Sequence, residues 1–160
     1  IPIYGTRRVV ENLNHRFGYI LNSQNKYPGA PAVKVQIISK NDHFTIGNKR
    51  VTPVEVMHDS LSVMGYRIGV FSYLTDVKYI NSDQMEKVMN SEVLVLNALR
   101  IESHPTHLNL EEALELVEEL RPKKAYFTHI SHLLGFHDEV SKKLPKNVHL
   151  AYDNLQIKCN

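Results

Sequence analysis

Apolar residues in this chain recur in short runs that stop abruptly on a polar residue, and the period within the runs switches between strand and helix. Ile1 to Tyr4 reads as a strand, and Thr6 can cap a helix that sets Val9, Val10, Leu13 and Phe17 at helical intervals. The stretch Asn22 to Pro31 is polar, carries Gly and Pro, and reads as a loop. Val33 to Ile38 is then a strand, and Phe44 to Ile46 pairs with Val51 to Met57 across the turn Gly47-Asn48-Lys49-Arg50. Tyr66 to Val70 and Phe71 to Thr75 make a nearly continuous apolar run around Gly69, which suits two strands or one bent strand.

From Ser82 onward helix and strand alternate. A helix near Ser82 to Asn90 leads to a strand Val93 to Leu96, and a strongly amphipathic helix starts at Leu110. That helix puts Leu110, Ala113, Leu114, Val117 and Leu120 on one face and Glu111, Glu112, Glu115, Glu118 and Glu119 outside. Asn109 with Glu112 three positions on is a variant of the capping box, and Pro122 closes the far end. The glutamates have the spacing of a solvated face, so they are not read as a cation site. Ala125 to Thr128 is a short strand, Ser131 to Leu144 a helix ended by Pro145, and Val148 to Ala151 forms a closing hairpin with Leu155 to Lys158. The pattern is mixed α/β, without internal repeats.

A chain of 160 residues can bury a real core, and 42% hydrophobic with 22% charged residues places it in the globular range, so a single domain over residues 1–160 is expected. A net charge of +2, with Lys and Arg dispersed, gives no sign of a nucleic-acid-binding surface. Cys159 is the single cysteine, so no intrachain disulfide can form and a reducing, cytoplasmic setting is expected. No apolar run approaches the roughly 20 residues needed to span a bilayer, and Ile1-Pro2-Ile3-Tyr4-Gly5 lacks the regions of a signal peptide. The chain begins without Met, on a strand that feeds a helix, which reads as a start in mid-domain.

His58, Asp76 and His129 each stand where an apolar run ends. Side chains at strand ends converge on one rim of a layered α/β fold, and imidazole and carboxylate are ligands for borderline divalent ions. Taken singly, each has an ordinary alternative: a structural histidine, or an aspartate forming a turn or cap. Between the strand Val93 to Leu96 and the amphipathic helix lies Glu102-Ser103-His104-Pro105-Thr106-His107. A loop there would hang over the same rim, with His107 placed as a general acid or a phosphate ligand, or as an exposed loop histidine. His132, three residues after His129, could share a metal or could fix a ligand's tautomer by hydrogen bonding, and the second role is favoured. His15, His43, His137 and His149 have no companions.

The segments Met57-His58-Asp59, Tyr73-Leu74-Thr75-Asp76, Leu94 to Arg100, Ser103-His104-Pro105-Thr106-His107 and Thr128-His129-Ile130-Ser131-His132 resemble, in order and spacing, the metallo-β-lactamase superfamily. Within it they are similar to the phosphodiesterases of the phosphoribosyl cyclic phosphate phosphodiesterase type. The resemblance covers essentially the whole chain. It implies the C-terminal half of a four-layer αββα sandwich carrying two divalent ions, Zn or Mn, at its open edge. It further implies that His58 binds one ion, Asp76 bridges both, His129 binds the other, and His107 contacts the scissile phosphate and protonates the leaving oxygen. The family's His-x-His-x-Asp-His motif is absent from these residues, so the expected site is incomplete in this chain. The expected partner is then a small phosphodiester, with a missing N-terminal half or a dimer mate covering the apolar face. The rival expectations are a thioesterase, a tRNA 3′-processing nuclease, and a truncated homologue serving as an interaction module.

Overall fold

The structure is a computed structural model that describes residues 1–21 and 29–159. It contains two compact units, Ile1–His43 and Phe44–Asn160. In the first, β1 (Pro2–Gly5) and β2 (Lys34–Ile37) pair in parallel, joined through α1 (Arg7–Leu21). The Val9 N–H reaches Thr6 Oγ1 at 3.4 Å, as the capping pattern predicts. Burial is sparser than the helical spacing implied. Val10 is buried, whereas Val9 and Phe17 are exposed, and Phe17 itself has left the helical conformation. Most of the predicted loop Asn22 to Pro31 lies outside the described residues.

The second unit is built on a seven-stranded sheet. Its strands are β3 (Phe44–Ile46), β4 (Lys49–His58), β5 (Leu61–Ile68), β6 (Phe71–Leu74), β7 (Val93–Asn97), β8 (Lys124–Thr128) and β9 (Val148–Leu150), which lie side by side in chain order. β3 to β6 are antiparallel neighbours and β6 to β9 parallel ones. The switch follows from the connections. Two-residue loops begin at Gly47, Asp59 and Gly69, whose φ of 60°, 56° and 58° gives the left-handed start that tight hairpins favour. Parallel pairing instead needs crossovers, which contain α2 (Ser82–Met85), α3 (Leu110–Leu120) and α4 (His137–Ser141).

One face of this sheet forms the core. Leu74, Leu96, Phe127 and Leu150 stand in one register row, and the α3 residues Ala113, Val117 and Leu120 join the same buried cluster. Each large side chain buried this fully contributes roughly 1.5 to 3 kcal/mol relative to exposure. The Asn109–Glu112 capping box forms in both directions, at 2.8 and 2.9 Å. This is the expected mixed α/β architecture, with helices packed on a large sheet.

The structure departs from the sequence pattern in four places. Leu61 to Met64 belongs to β5, paired with Glu55 to His58, a strand start that the local apolar pattern does not announce. The helix near Ser82 to Asn90 stops at Met85 and continues as turns. Ser131 to Leu144 splits into a 3₁₀ turn (His132–Leu134) and α4, because Gly135 between them adopts φ 110°, which no helix contains. Leu155 to Lys158 forms no strand. β9 instead pairs in parallel with β8, and the Ala125 and Ala151 N–H groups bond to the Asn147 and Phe127 carbonyls.

Gly65, opposite Val54, leaves room for Leu74. A Cβ there would stand 2.4 Å from Leu74 Cδ2 and 2.8 Å from the Tyr73 carbonyl oxygen. Gly65→Ala should therefore destabilise the protein by about 1 to 3 kcal/mol, as overpacking does, measured as a lower denaturation midpoint with an unchanged slope.

Candidate metal centre

Strand direction decides which side chains meet. β5 is antiparallel to both β4 and β6, so β4 runs the same way as β6, and β7 and β8 are parallel to β6. The C-terminal ends of β4, β6, β7 and β8 therefore lie on one edge. His58 ends β4, Asp76 follows β6, and His129 directly follows β8. Asp76 and His129 both turn off their strands in the left-handed region, at φ 59° and 57°, where non-glycine residues are uncommon and concentrate at functional sites.

His107 reaches this edge from the loop after β7. The loop is tied down on either side of Leu108: Leu99 N–H donates to the Leu108 carbonyl at 3.0 Å, and Leu108 N–H donates to the Val77 carbonyl at 2.8 Å. The His107 Nε2 is 3.2 Å from Asp76 Oδ1, and its Nδ1 is 2.8 Å from Thr106 Oγ1. Its ring stands edge-on to His58 at 4.6 Å and stacks on His129 at 4.7 Å. His129 Nε2 lies 3.6 Å from the same Asp76 oxygen. Donor atoms of His58, Asp76 and His107 all fall within 4.8 Å of one another.

The structure thus gathers His58, Asp76, His107 and His129. His107, read from the sequence as an acid beside the ligands, has the geometry of a ligand as well. His104 adds a further nitrogen 3.3 Å from His107 Nδ1. His132 sits exposed at the start of the 3₁₀ turn, and among the described residues no hydrogen bond joins it to His129. Two positions had no role assigned from sequence: Thr106, which holds His107, and Asn97, the buried last residue of β7. Asn97 had a visible signal, since it too is a polar residue ending an apolar run.

The donor set fits a divalent ion. Two atoms each about 2.1 Å from a tetrahedral ion are about 3.4 Å apart, and the two imidazole nitrogens stand 3.2 and 3.6 Å from Asp76 Oδ1. Ligation also requires neutral imidazole. Burial pushes the His107 pKa below its ordinary value; the Asp76 hydrogen bond works against this, and His129 and His58 reinforce it. His104 is lowered too, by desolvation and then by the charges of Arg100 and Lys78. A shallow cleft lined by Thr128, His129, Ile130, Ala151, Tyr152 and Asp153 opens beside the cluster. The larger apolar groove along α3, at Leu110, Leu114 and Val117, shares no residue with it.

A family model described as a beta-lactamase superfamily domain matches residues 1–130. A crystal structure of a diphosphatase from the PhnP family is 33% identical with TM-score 0.87, over 99% of this chain and 58% of that one. Zn²⁺-bound PqqB from Methylobacterium extorquens superposes with TM-score 0.75 at 14% identity, over 99% of this chain and 65% of its own. A curated relative, an octanoyltransferase from Porphyromonas gingivalis, is 29% identical over 98% of this chain and 32% of its own length. The chain therefore spans about a third of that relative and little more than half of the diphosphatase. Among the described residues no helix is long and apolar enough to cross a membrane.

A histidine whose folded pKa is depressed takes up fewer protons in the folded than in the unfolded state. The stability tied to neutral His107 is complete above about pH 6.5 and is lost as the pH falls below it. In the metal-free chain the denaturation midpoint should drop between pH 7 and 5, and His107→Gln should flatten that slope. NMR should find the His107 imidazole titrating below 6.5.

Proposed function

Because the chain belongs to the metallo-β-lactamase superfamily, matched over residues 1–130, we propose that the whole protein is a metal-dependent phosphodiesterase acting on a small cyclic or nucleotide-like phosphate. The observation that carries this reading is the convergence of His58, Asp76 and His107 donor atoms within 4.8 Å, with His129 3.6 Å from Asp76. The 33% identity to a diphosphatase of the PhnP family supports a phosphoester substrate.

His58 would hold one divalent ion, His129 the other, and Asp76 both, since a carboxylate has two oxygens and a negative charge to share. When bound, such ions supply a hydroxide nucleophile near neutral pH and offset charge on the phosphate. Zn²⁺ and Mn²⁺ both suit the imidazole and carboxylate donors. His107 would give the leaving oxygen its proton from the ring nitrogen that faces Asp76, whose carboxylate favours the protonated ring against the burial that disfavours it. Thr106 Oγ1 on the opposite nitrogen holds the ring in that orientation. The cleft beside His129, with Tyr152 and Asp153 on its wall, offers room for the organic part of the substrate.

Octanoyl transfer is a second reading, favoured by one curated relative. That match covers 32% of the relative. The chain's single cysteine, Cys159, is exposed and lies outside the histidine cluster, so it offers no nucleophile there.

The test is hydrolysis of bis(p-nitrophenyl) phosphate by the whole protein. Activity should vanish with a chelator and return with Zn²⁺ or Mn²⁺. His107→Ala should lower kcat by about 10² to 10⁴-fold, the range of general acid catalysis, with metal content measured alongside. A protein that cleaves thioesters and leaves every phosphodiester intact would overturn the proposal.

A further inference from the structure

Asn97 belongs to none of the roles assigned above, yet it is wholly buried at the end of β7, between the ends of β6 and β8. A buried amide needs partners for both its polar atoms, and both atoms go to one residue. The Val77 N–H donates to Asn97 Oδ1 at 2.8 Å, and Asn97 Nδ2 donates to the Val77 carbonyl at 3.0 Å. The side chain thus takes the place of a strand backbone, clasping the residue that follows Asp76 just beyond the point where β6 has ended. The same Val77 carbonyl accepts the Leu108 N–H at 2.8 Å. One oxygen therefore anchors the residue after Asp76 and the residue after His107.

Asp76 needs such an anchor. It sits at φ 59°, outside the strand ladder, in a conformation that an isolated Asp-Val segment would rarely keep. We propose that Asn97 is a positioning residue for the metal centre: its amide fixes Val77, which sets the Asp76 carboxylate and, through the shared carbonyl, the His107 loop. This rests on the metal-centre reading of the cluster. A purely structural role would make Asn97 one more core residue, whose loss lowers stability and nothing else.

The test uses the whole protein, freed of metal, with cobalt(II) alone as the probe, read by its visible absorption, together with amide hydrogen exchange at Val77 and Leu108. Asn97→Ala removes both hydrogen bonds, Asn97→Leu removes them while keeping the core filled, and Leu94→Ala truncates the same strand where it makes no contact with Val77 in the hydrogen-bond network. Both Asn97 variants should bind cobalt(II) at least tenfold more weakly and exchange the Val77 amide faster. Leu94→Ala should lose comparable thermal stability and keep its cobalt(II) affinity within twofold. Where an Asn97 variant fails to fold, the other carries the comparison. Unchanged affinity in a folded Asn97 variant, or equal weakening in Leu94→Ala, overturns the positioning role and leaves the metal centre standing. A wild-type protein that binds no cobalt(II), or an Asp76→Ala variant that binds it as well as wild type, overturns the metal centre and the positioning role together.

Discussion

Parallel strands cannot be joined by a tight turn, so each of the connections β6 to β7, β7 to β8 and β8 to β9 leaves the sheet at one edge and returns at the other. That constraint places every exit loop on the same edge. The antiparallel β5 extends it by returning the chain so that β4 ends there too. His58, Asp76, Asn97 and His129 come to one edge because each stands at or just beyond the end of a strand that points there. The site is a by-product of strand direction before it is anything chemical.

Strand ends alone would leave the loops free to sway, and a second set of backbone bonds prevents this. Met57 bonds Lys78 and Tyr79 across 2.7 to 3.1 Å, joining the residue before His58 to the segment after Asp76. Ala98 N–H reaches the Thr128 carbonyl at 3.1 Å, and Ser131 N–H reaches the Leu99 carbonyl at 2.9 Å, bracketing His129. The Asn97 to Arg100 segment is the common member, since Leu110 N–H also donates to Arg100. Lys78 adds an ion pair to Glu112 at 2.6 Å, which links the Asp76 segment to the capping box of α3. Burial works to raise the Glu112 carboxyl, but the Lys78 ammonium and the Asn109 backbone outweigh it and hold it below its ordinary value. Partial exposure keeps the pair's contribution modest; its consequence is geometric.

The strand-end residues were legible because burial leaves a plain record: an apolar run interrupted by His or Asp marks where a strand meets solvent. The amphipathic α3 and its cap were equally plain, since Asn109, Glu112 and the leucine spacing all depend on contacts within one helix. What the sequence hid depends on partners far along the chain. Leu61 to Met64 carries too few consecutive apolar residues to declare a strand, and its pairing with β4 across the Asp59 turn supplies what local pattern lacks. Val148 to Ala151 suggests a hairpin because the nearest extended stretch follows it, whereas the vacant edge of β8 takes it. Asn97 shows in the sequence as the polar end of an apolar run, but its role does not. Its partner Val77 is twenty residues away, and nothing local distinguishes a clasping amide from a turn residue.

Charge gives the last constraint. Within the described cluster Asp76 is the one carboxylate, set among three imidazoles that bring neutral lone pairs when unprotonated. Such a set tolerates positive charge from metal far better than from protons. Protons would place several like charges within 5 Å, whereas an ion draws the lone pairs to one centre, and burial of His107 already favours the neutral ring. Were a dication held there, this chain's one carboxylate would offset only part of its charge and leave positive potential toward the cleft beside His129. An anionic phosphodiester would be drawn into that field, where a neutral thioester would gain much less. The identity of the donors, three nitrogens to one carboxylate, thus bears on the substrate as well as on the metal.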